Sequence, residues 1–318
     1  MILDVVNYKP GDEDMWDDFC QKAGNATFLH TRKFLGYHGT RFRDESILIL
    51  RDNGTIVAAL PAAIDPLDIG TVVSHPGATY GGLIHQGWLT GSRMVEAFYY
   101  LKRHYASLGF KRFVYKALPY IYSLTPAQDD LYAMFRNGAN LVRCDLSCTI
   151  DLSYRRPPSD RRRRNLKKAL RSVNVSSDPT LIGALWLVIS DNLAREHQTT
   201  PVHSLEELSK LLSLFPNNIK VLCAEIEHQV VAGIVLFNSS SVWHAQYIAS
   251  SEKGYQVSAL DAIFEKAIEL ATSERMRYFD FGISNEDNGR TLNDGLHRFK
   301  SEFGGSGVVH EFYEMDLT

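Results

Sequence analysis

The chain has 318 residues, of which 45% are hydrophobic and 22% charged, with a formal net charge of −3 at pH 7. That length suits about two domains at roughly 150 residues each, and the composition excludes a disordered or fibrous protein. No stretch approaches the ~18 uncharged apolar residues of a membrane-spanning helix, so no membrane insertion is expected.

The opening residues, MILDVVNYKPGDEDM, are acidic and interrupted by Pro10 and Gly11, unlike a secretory signal. A cytoplasmic protein is expected, with Cys20, Cys144, Cys148 and Cys223 kept reduced. None of the four forms a Cys-x-x-Cys pair, so they read as small buried hydrophobes and no metal site is expected.

In chain order, residues 45–50 read as a buried strand, Asp52-Asn53-Gly54 as a hairpin turn, and residues 56–63 as the return strand. Residues 71–74 form a further strand. Met94, Phe98, Leu101, Tyr105 and Leu108 recur at helical spacing, with Gly109 placed to stop the helix. Residues 111–115 then read as a short strand.

The second half repeats this order. Residues 219–226 and 230–237 pair around Glu227-His228-Gln229, and residues 241–244 follow as a strand. A helix starts at Ser258, with Ser258-x-x-Asp261 resembling a capping box, and carries Leu260, Ile263, Phe264, Ala267 and Ala271 on one stripe. Residues 276–281 close the pattern as a strand. The repeat distance of about 170 residues is far beyond the roughly 20–50 of solenoids, so duplicated domains are expected. The Pro157-Pro158 step suggests a division near residue 154, giving domains 1–154 and 155–318.

Two segments carry a family resemblance. One is Phe279-Asp280-Phe281-Gly282-Ile283-Ser284, continued by Asn288-Gly289-Arg290, Leu292-Asn293, Gly295-Leu296, Phe299-Lys300 and Phe303-Gly304. The other is residues 74–82, SHPGATYGG. With the meander–helix–strand order in both halves, the chain resembles the tandem-GNAT, Fem-like N-acyltransferases. The fold class that follows is α/β (α+β), two GNAT-like domains, each a mixed and largely antiparallel sheet flanked by helices. The resemblance implies acyl or aminoacyl transfer to an amine, with acyl-CoA as co-substrate in some members and aminoacyl-tRNA in others.

Nine cations lie between Arg155 and Arg171, opposed only by Asp160. Such density attracts polyanions, although a solvated helix face is the simpler reading. The resemblance turns Arg161, Arg164 and Lys168 toward the diphosphate of a nucleotide-linked acceptor, and arginine's planar fork suits phosphate; coenzyme A's phosphates or tRNA would satisfy the segment equally. The strand-to-helix corner Ile248, Ala249, Ser250, Lys253, Gly254 and Tyr255 corresponds to the coenzyme A pyrophosphate corner of GNAT proteins, where helix N-terminal amides meet phosphate. Here it offers a single glycine.

Three residues are candidates for catalysis. Lys300 flanks the apolar stripe of the last helix, which is expected to be capped by Thr291-x-x-Asp294 and ended by Gly304-Gly305. It either packs its stem alone or extends its ammonium toward a developing oxyanion. His75, at a strand end before Pro-Gly, is the first candidate base. Asp280 is the second, because an acid among Tyr278, Phe279 and Phe281 is out of place unless paired or used. His30 is a third candidate base and substrate contact, and Tyr80, Asn288, Arg290 and Asn293 are loop residues able to hydrogen-bond an acceptor sugar.

The leading expectation is an acyl-CoA-dependent N-acyltransferase acting on a nucleotide-linked amino sugar in polysaccharide biosynthesis, without nucleic acid. The alternatives are a Fem-type ligase of peptidoglycan precursors that uses aminoacyl-tRNA, and a non-catalytic RNA- or polyanion-binding protein.

Overall fold

The computed structural model describes residues 3–197 and 201–318. The chain forms two compact units.

The first unit comprises Met1–Leu146, Asn285–Thr291 and Val309–Thr318. Leu3–Asn7, Ile47–Arg51, Ile56–Leu60 and Ile84–His85 form an antiparallel sheet in that order. The expected hairpin turn is present, with Gly54 at φ +78° and Arg51 N donating to the Thr55 carbonyl. A second group begins with Ala63–Asp65 paired to Asp68–Val73, which runs parallel to Arg112–Lys116. Helix Ser92–Ser107 crosses between those parallel strands and buries Met94, Phe98, Leu101 and Tyr105 completely. Leu108 lies past the helix end and is exposed, and Gly109, at φ +88°, turns the chain away.

The second unit comprises Ser147–Ser284 and Leu292–Val308. Its sheet runs from the end of strand Asn140–Asp151 through Tyr278–Ile283, Val242–Ser250, Gln229–Asn238 and Ile219–Ile226 to Asn174–Ser176. Helix Ala259–Ser273 covers one face, where the Phe264 ring centroid lies 4.9 Å from that of Phe281. Helix Ile182–His197 packs on Gln229–Asn238 and Val242–Ser250. Gly233 permits its close approach, since a Cβ there would stand 2.5 Å from Leu185 Cδ1.

The division differs from a single cut at residue 154. The first unit's main segment ends at Leu146, and the chain later returns to that unit twice. The second return has a plain physical cause. Strand Ser306–Asp316 pairs its Phe312 to Asp316 stretch antiparallel with Arg112–Lys116, which ties the C-terminal residues to the first unit by backbone hydrogen bonds.

Two helix starts also differ from expectation. Ser258 sits in the left-handed region at φ +62° and makes no side-chain cap; it is the break between helices Glu252–Val257 and Ala259–Ser273. The last helix, Asp294–Ser301, is capped by Asn293, whose Oδ1 accepts from Leu296 N at 3.0 Å, rather than by Thr291. It ends at Ser301, before Gly304-Gly305.

Candidate functional site in the second unit

The parallel strands Val242–Ser250 and Tyr278–Ile283 are paired over three steps only: Val242 with Tyr278, Trp243 with Phe279, and His244 with Asp280. Beyond that they part. Residues 245–250 keep partners on the Gln229–Asn238 side, with an irregularity that leaves Gln246 bulged between the pairs Leu236–Ala245 and Val235–Tyr247. No strand pairs with their other edge among the described residues. On Tyr278–Ile283 the pairing to Asn140–Asp151 also slips between Asp280 and Ile283. Two irregularities therefore open the sheet at one level, which bends strands apart and re-aims side chains.

At the apex of this opening Asp280 and His244 share a row of the sheet. Asp280 is fully buried, and it accepts from Ser147 Oγ, from Thr149 Oγ1 at 2.8 Å, and from His244 Nδ1 at 2.7 Å. A carboxylate has only acceptors to offer, so His244 Nδ1 carries the proton. His244 Nε2 makes no hydrogen bond to the described residues, and 11% of the side chain is open to solvent. His244 is not among the residues that the sequence singles out; Asp280 is paired, as an acid in that strand requires.

Lys300 reaches the same place from helix Asp294–Ser301. Its ammonium donates to the carbonyls of Gly282 at 3.0 Å and Ile283 at 2.6 Å. Burial pulls its pKa down to about 8, against the opposing pull of Asp280. With two donors engaged and 3% of the residue exposed, Lys300 clamps the irregular backbone after Asp280 instead of extending into a cleft. The stem packs, as the structural alternative has it, and the head serves the main chain.

His75 belongs to the first unit. It is buried at φ +59°, its Nδ1 has no partner among the described residues, and it lines a cavity of about 210 Å³ with Tyr8, Arg32, His38 and Phe42. Burial, then the cations His38, Lys116 and Arg32, push its pKa well down. His30 has both ring nitrogens engaged, Nδ1 accepting from Thr27 N at 2.9 Å and Nε2 donating to the Gly81 carbonyl at 2.8 Å. Tyr80 is buried and donates to Thr27 Oγ1. These two residues hold the first unit's loops together, which leaves them no polar atom directed at a sugar. Asn288, at φ +50°, accepts from Arg143, while Arg290 is exposed. Asn293 is the helix cap already described.

The first unit repeats the parallel pair without the opening. There Thr71, Val72 and Val73 pair with Arg112, Phe113 and Val114, so valines stand where the second unit has His244 and Asp280. The next stretch is closed by the chain itself: Ser74 N donates to Val114 O, Lys116 N to Ser74 Oγ, and Gly81 N to Lys116 O. Gly81 is needed there, because a Cβ would stand 2.1 Å from the Ser74 carbonyl oxygen.

At the corner expected to hold phosphates, Ser251 caps helix Glu252–Val257 by accepting from Gly254 N. A Cβ on Gly254 would come within 2.5 Å of both Ser250 Oγ and Val231 O, so this glycine serves helix-to-strand packing. Ser250 is buried, with its N–H donating to Asn192 Oδ1, and Tyr255 donates to the same oxygen. Ile248 packs on the core and Ala249 pairs with Gly233. Lys253 is exposed.

The basic segment is largely matched by acids and carbonyls, most of them distant in sequence. Arg155 makes a bidentate pair with Glu265, Arg161 pairs with Glu302, and Arg163 with Asp160. Arg162 is buried against Asp261 at 3.0 Å and lies over the Phe299 and Phe303 rings. Arg156 donates to the Gly305 carbonyl and Lys168 to that of Gln256. Among the exposed cations of helix Asp160–Ala169 and the turn after it, Arg164, Lys167 and Arg171 make no hydrogen bond or ion pair to the described residues; they are spaced i, i+3, i+7 on the side opposite buried Arg162 and Ala169.

Comparison with known proteins bears on the fold. Residues 155–300 match the acetyltransferase (GNAT) domain family. No curated protein sequence matches the chain. Among solved structures, FemX aligns at 11% identity over 98% of this chain and 97% of its own, with a TM-score of 0.70. L-PGS from Bacillus licheniformis aligns at 13% identity over 98% and 93%, TM-score 0.64. A tandem GNAT protein from the clavulanic acid biosynthesis pathway aligns at 9% identity over 100% and 99%, TM-score 0.57. The chain therefore has the tandem GNAT fold, with a GNAT acetyltransferase domain match over most of its second unit.

Proposed function

We propose that the protein is an N-acyltransferase that moves an acyl group from a coenzyme A thioester to the amino group of a nucleotide-linked amino sugar. The observation that carries this reading is the parting of Val242–Ser250 from Tyr278–Ile283 beyond His244 and Asp280. A strand edge left without a strand partner can bond an extended ligand through main-chain groups. The pantetheine arm of coenzyme A is such a ligand, since it carries two amides in an extended chain. Residues 245–248 would hold that arm, and its thioester would lie toward the apex. Lys253, exposed in the first turn of helix Glu252–Val257, would meet the phosphates.

The amine attacks the thioester carbonyl directly, so the protein's part is to position both groups and manage one proton. Among the described residues burial raises every thiol, Cys20, Cys148 and Cys223 to about 12 and Cys144 in the same direction, which disfavours a thiolate nucleophile. For the acceptor, the exposed row Arg164, Lys167 and Arg171 supports a phosphate-bearing substrate.

The test incubates the protein with acetyl-, hydroxyacyl- and longer acyl-coenzyme A against a panel of amino-sugar nucleotides and follows free thiol. Thiol release that requires both partners is expected. Release with no pair, alongside transfer from aminoacyl-tRNA, would replace this reading with the ligase; salt-sensitive tRNA retention without any transfer would replace it with polyanion binding.

A further inference from the structure

We propose that His244 Nε2 is the general base of this reaction, held in its productive tautomer by Asp280. The inference rests on the acyl-transfer reading above and assigns to it a residue that no motif marks.

The argument begins with placement. His244 is the last paired residue before the strands separate, so its side chain stands at the apex of the opening. Asp280 accepts from Nδ1 at 2.7 Å, which leaves Nε2 as the bare, accepting nitrogen. Asp280 is itself fixed by Ser147 and Thr149, so the imidazole is oriented by a buried and fully engaged carboxylate. A base within hydrogen-bond reach, oriented by a third group, is the arrangement that proton abstraction needs. The first unit provides an internal contrast, with valines at the same pair and its opening sealed by its own loop.

The step balances as follows. The amine nitrogen bonds to the acyl carbon as its proton passes to His244 Nε2, and the carbonyl π pair moves onto oxygen. The pair returns, the C–S bond breaks with its electrons on sulfur, and the imidazolium gives its proton to that thiolate. The products are an amide and free coenzyme A, with His244 neutral again. Asp280 on the adjoining strand is the ionisable group beside the imidazole; Lys300 from the last helix and Cys148 on the strand beyond each interact electrostatically with Asp280.

The test compares wild type with His244→Gln and His244→Ala, using the acyl donor and amino-sugar pair that gives thiol release. A loss of about 10²–10⁴-fold in kcat/KM is expected, with the donor KM changed by no more than a few-fold. The acidic limb that wild type shows beyond the amine's own protonation should vanish in either variant, and added imidazole should restore part of the rate of His244→Ala. Melting curves establish that the variants fold, and one folded variant suffices. If wild type transfers and both variants keep its rate and its acidic limb, the base assignment fails while acyl transfer stands. If a folded His244→Ala is slow but keeps the limb and ignores imidazole, His244 is structural. If wild type transfers nothing from any thioester, acyl transfer fails and this inference with it.

Discussion

A Cβ placed on Gly282 would stand 3.4 Å from Cε1 of His244. The backbone there is left-handed, at φ +78°, and its carbonyl is held by Lys300. Gly282→Ala therefore meets ordinary contact in space but strain in the chain, roughly 1–2 kcal/mol for a non-glycine residue in that region. Its melting temperature should fall by a few degrees, and turnover should drop more than donor binding weakens. Gly282→Asn, whose side chain tolerates the left-handed region better, should melt closer to wild type.

The Lys300 clamp makes a prediction about pH. Its folded pKa, about 8, lies below its ordinary value of 10.5. Between these values the unfolded chain holds a proton that the native protein has released, so this residue makes stability rise with pH across that window. Below about 8 the cost of burying the charge is fully present. The difference in unfolding free energy between wild type and Lys300→Met should thus be flat below pH 8 and change by at most about 1.4 kcal/mol per pH unit above it. A difference curve without that break would show that the amine titrates normally.

Arg162 and Asp261 form a second buried pair, at 3.0 Å with side chains 7% and 4% exposed. Burial pushes Asp261 up to about 6 although Arg162 opposes it. Removing the arginine alone leaves a buried acid without its counter-charge, and Arg162→Leu should cost about 3–5 kcal/mol. Arg162→Leu/Asp261→Leu should recover most of that loss in denaturant titrations, giving a large coupling in the double-mutant cycle.

Much of this architecture was legible beforehand, and the failures have common causes. Strand Ile219–Ile226 and the helices Ser92–Ser107 and Ala259–Ser273 follow from local periodicity, and the structure places them within a few residues of the pattern. The basic segment was visible as charge, but its partners Asp261, Glu265 and Glu302 lie about 100 or more residues away and no local rule finds them. His244 was hidden for the same reason. It reads as one more strand residue until the parallel register sets it opposite Asp280; aligning the two repeats strand by strand would have exposed the pair. Strand Ser306–Asp316 went unread because its partner, Arg112–Lys116, belongs to the other half of the sequence.

The division within the basic segment is itself testable. Changing Arg164, Lys167 and Arg171 to Ser should raise the acceptor's KM and leave the melting temperature nearly unchanged, as expected of exposed charges. Changing Arg155 to Ser, which removes the bidentate pair to Glu265, should lower the melting temperature and leave acceptor saturation alone.

Gly254→Ala offers a structural probe of the corner proposed to hold the donor. The added methyl would press on Val231 O and Ser250 Oγ and displace helix Glu252–Val257. The donor KM should rise while the acceptor KM holds; equal effects on both would point to a general loss of fold.

The return of residues 309–318 to the first unit has a practical consequence for dissecting the molecule. A fragment ending at residue 154 would leave Arg112–Lys116 with a bare backbone edge, and one starting at residue 155 would carry an orphan strand in search of a sheet. Unpaired edges of this kind recruit foreign strands and aggregate. Separate expression of the halves should therefore give insoluble material, and co-expression should rescue both, because each half holds a strand that completes the other's backbone pairing.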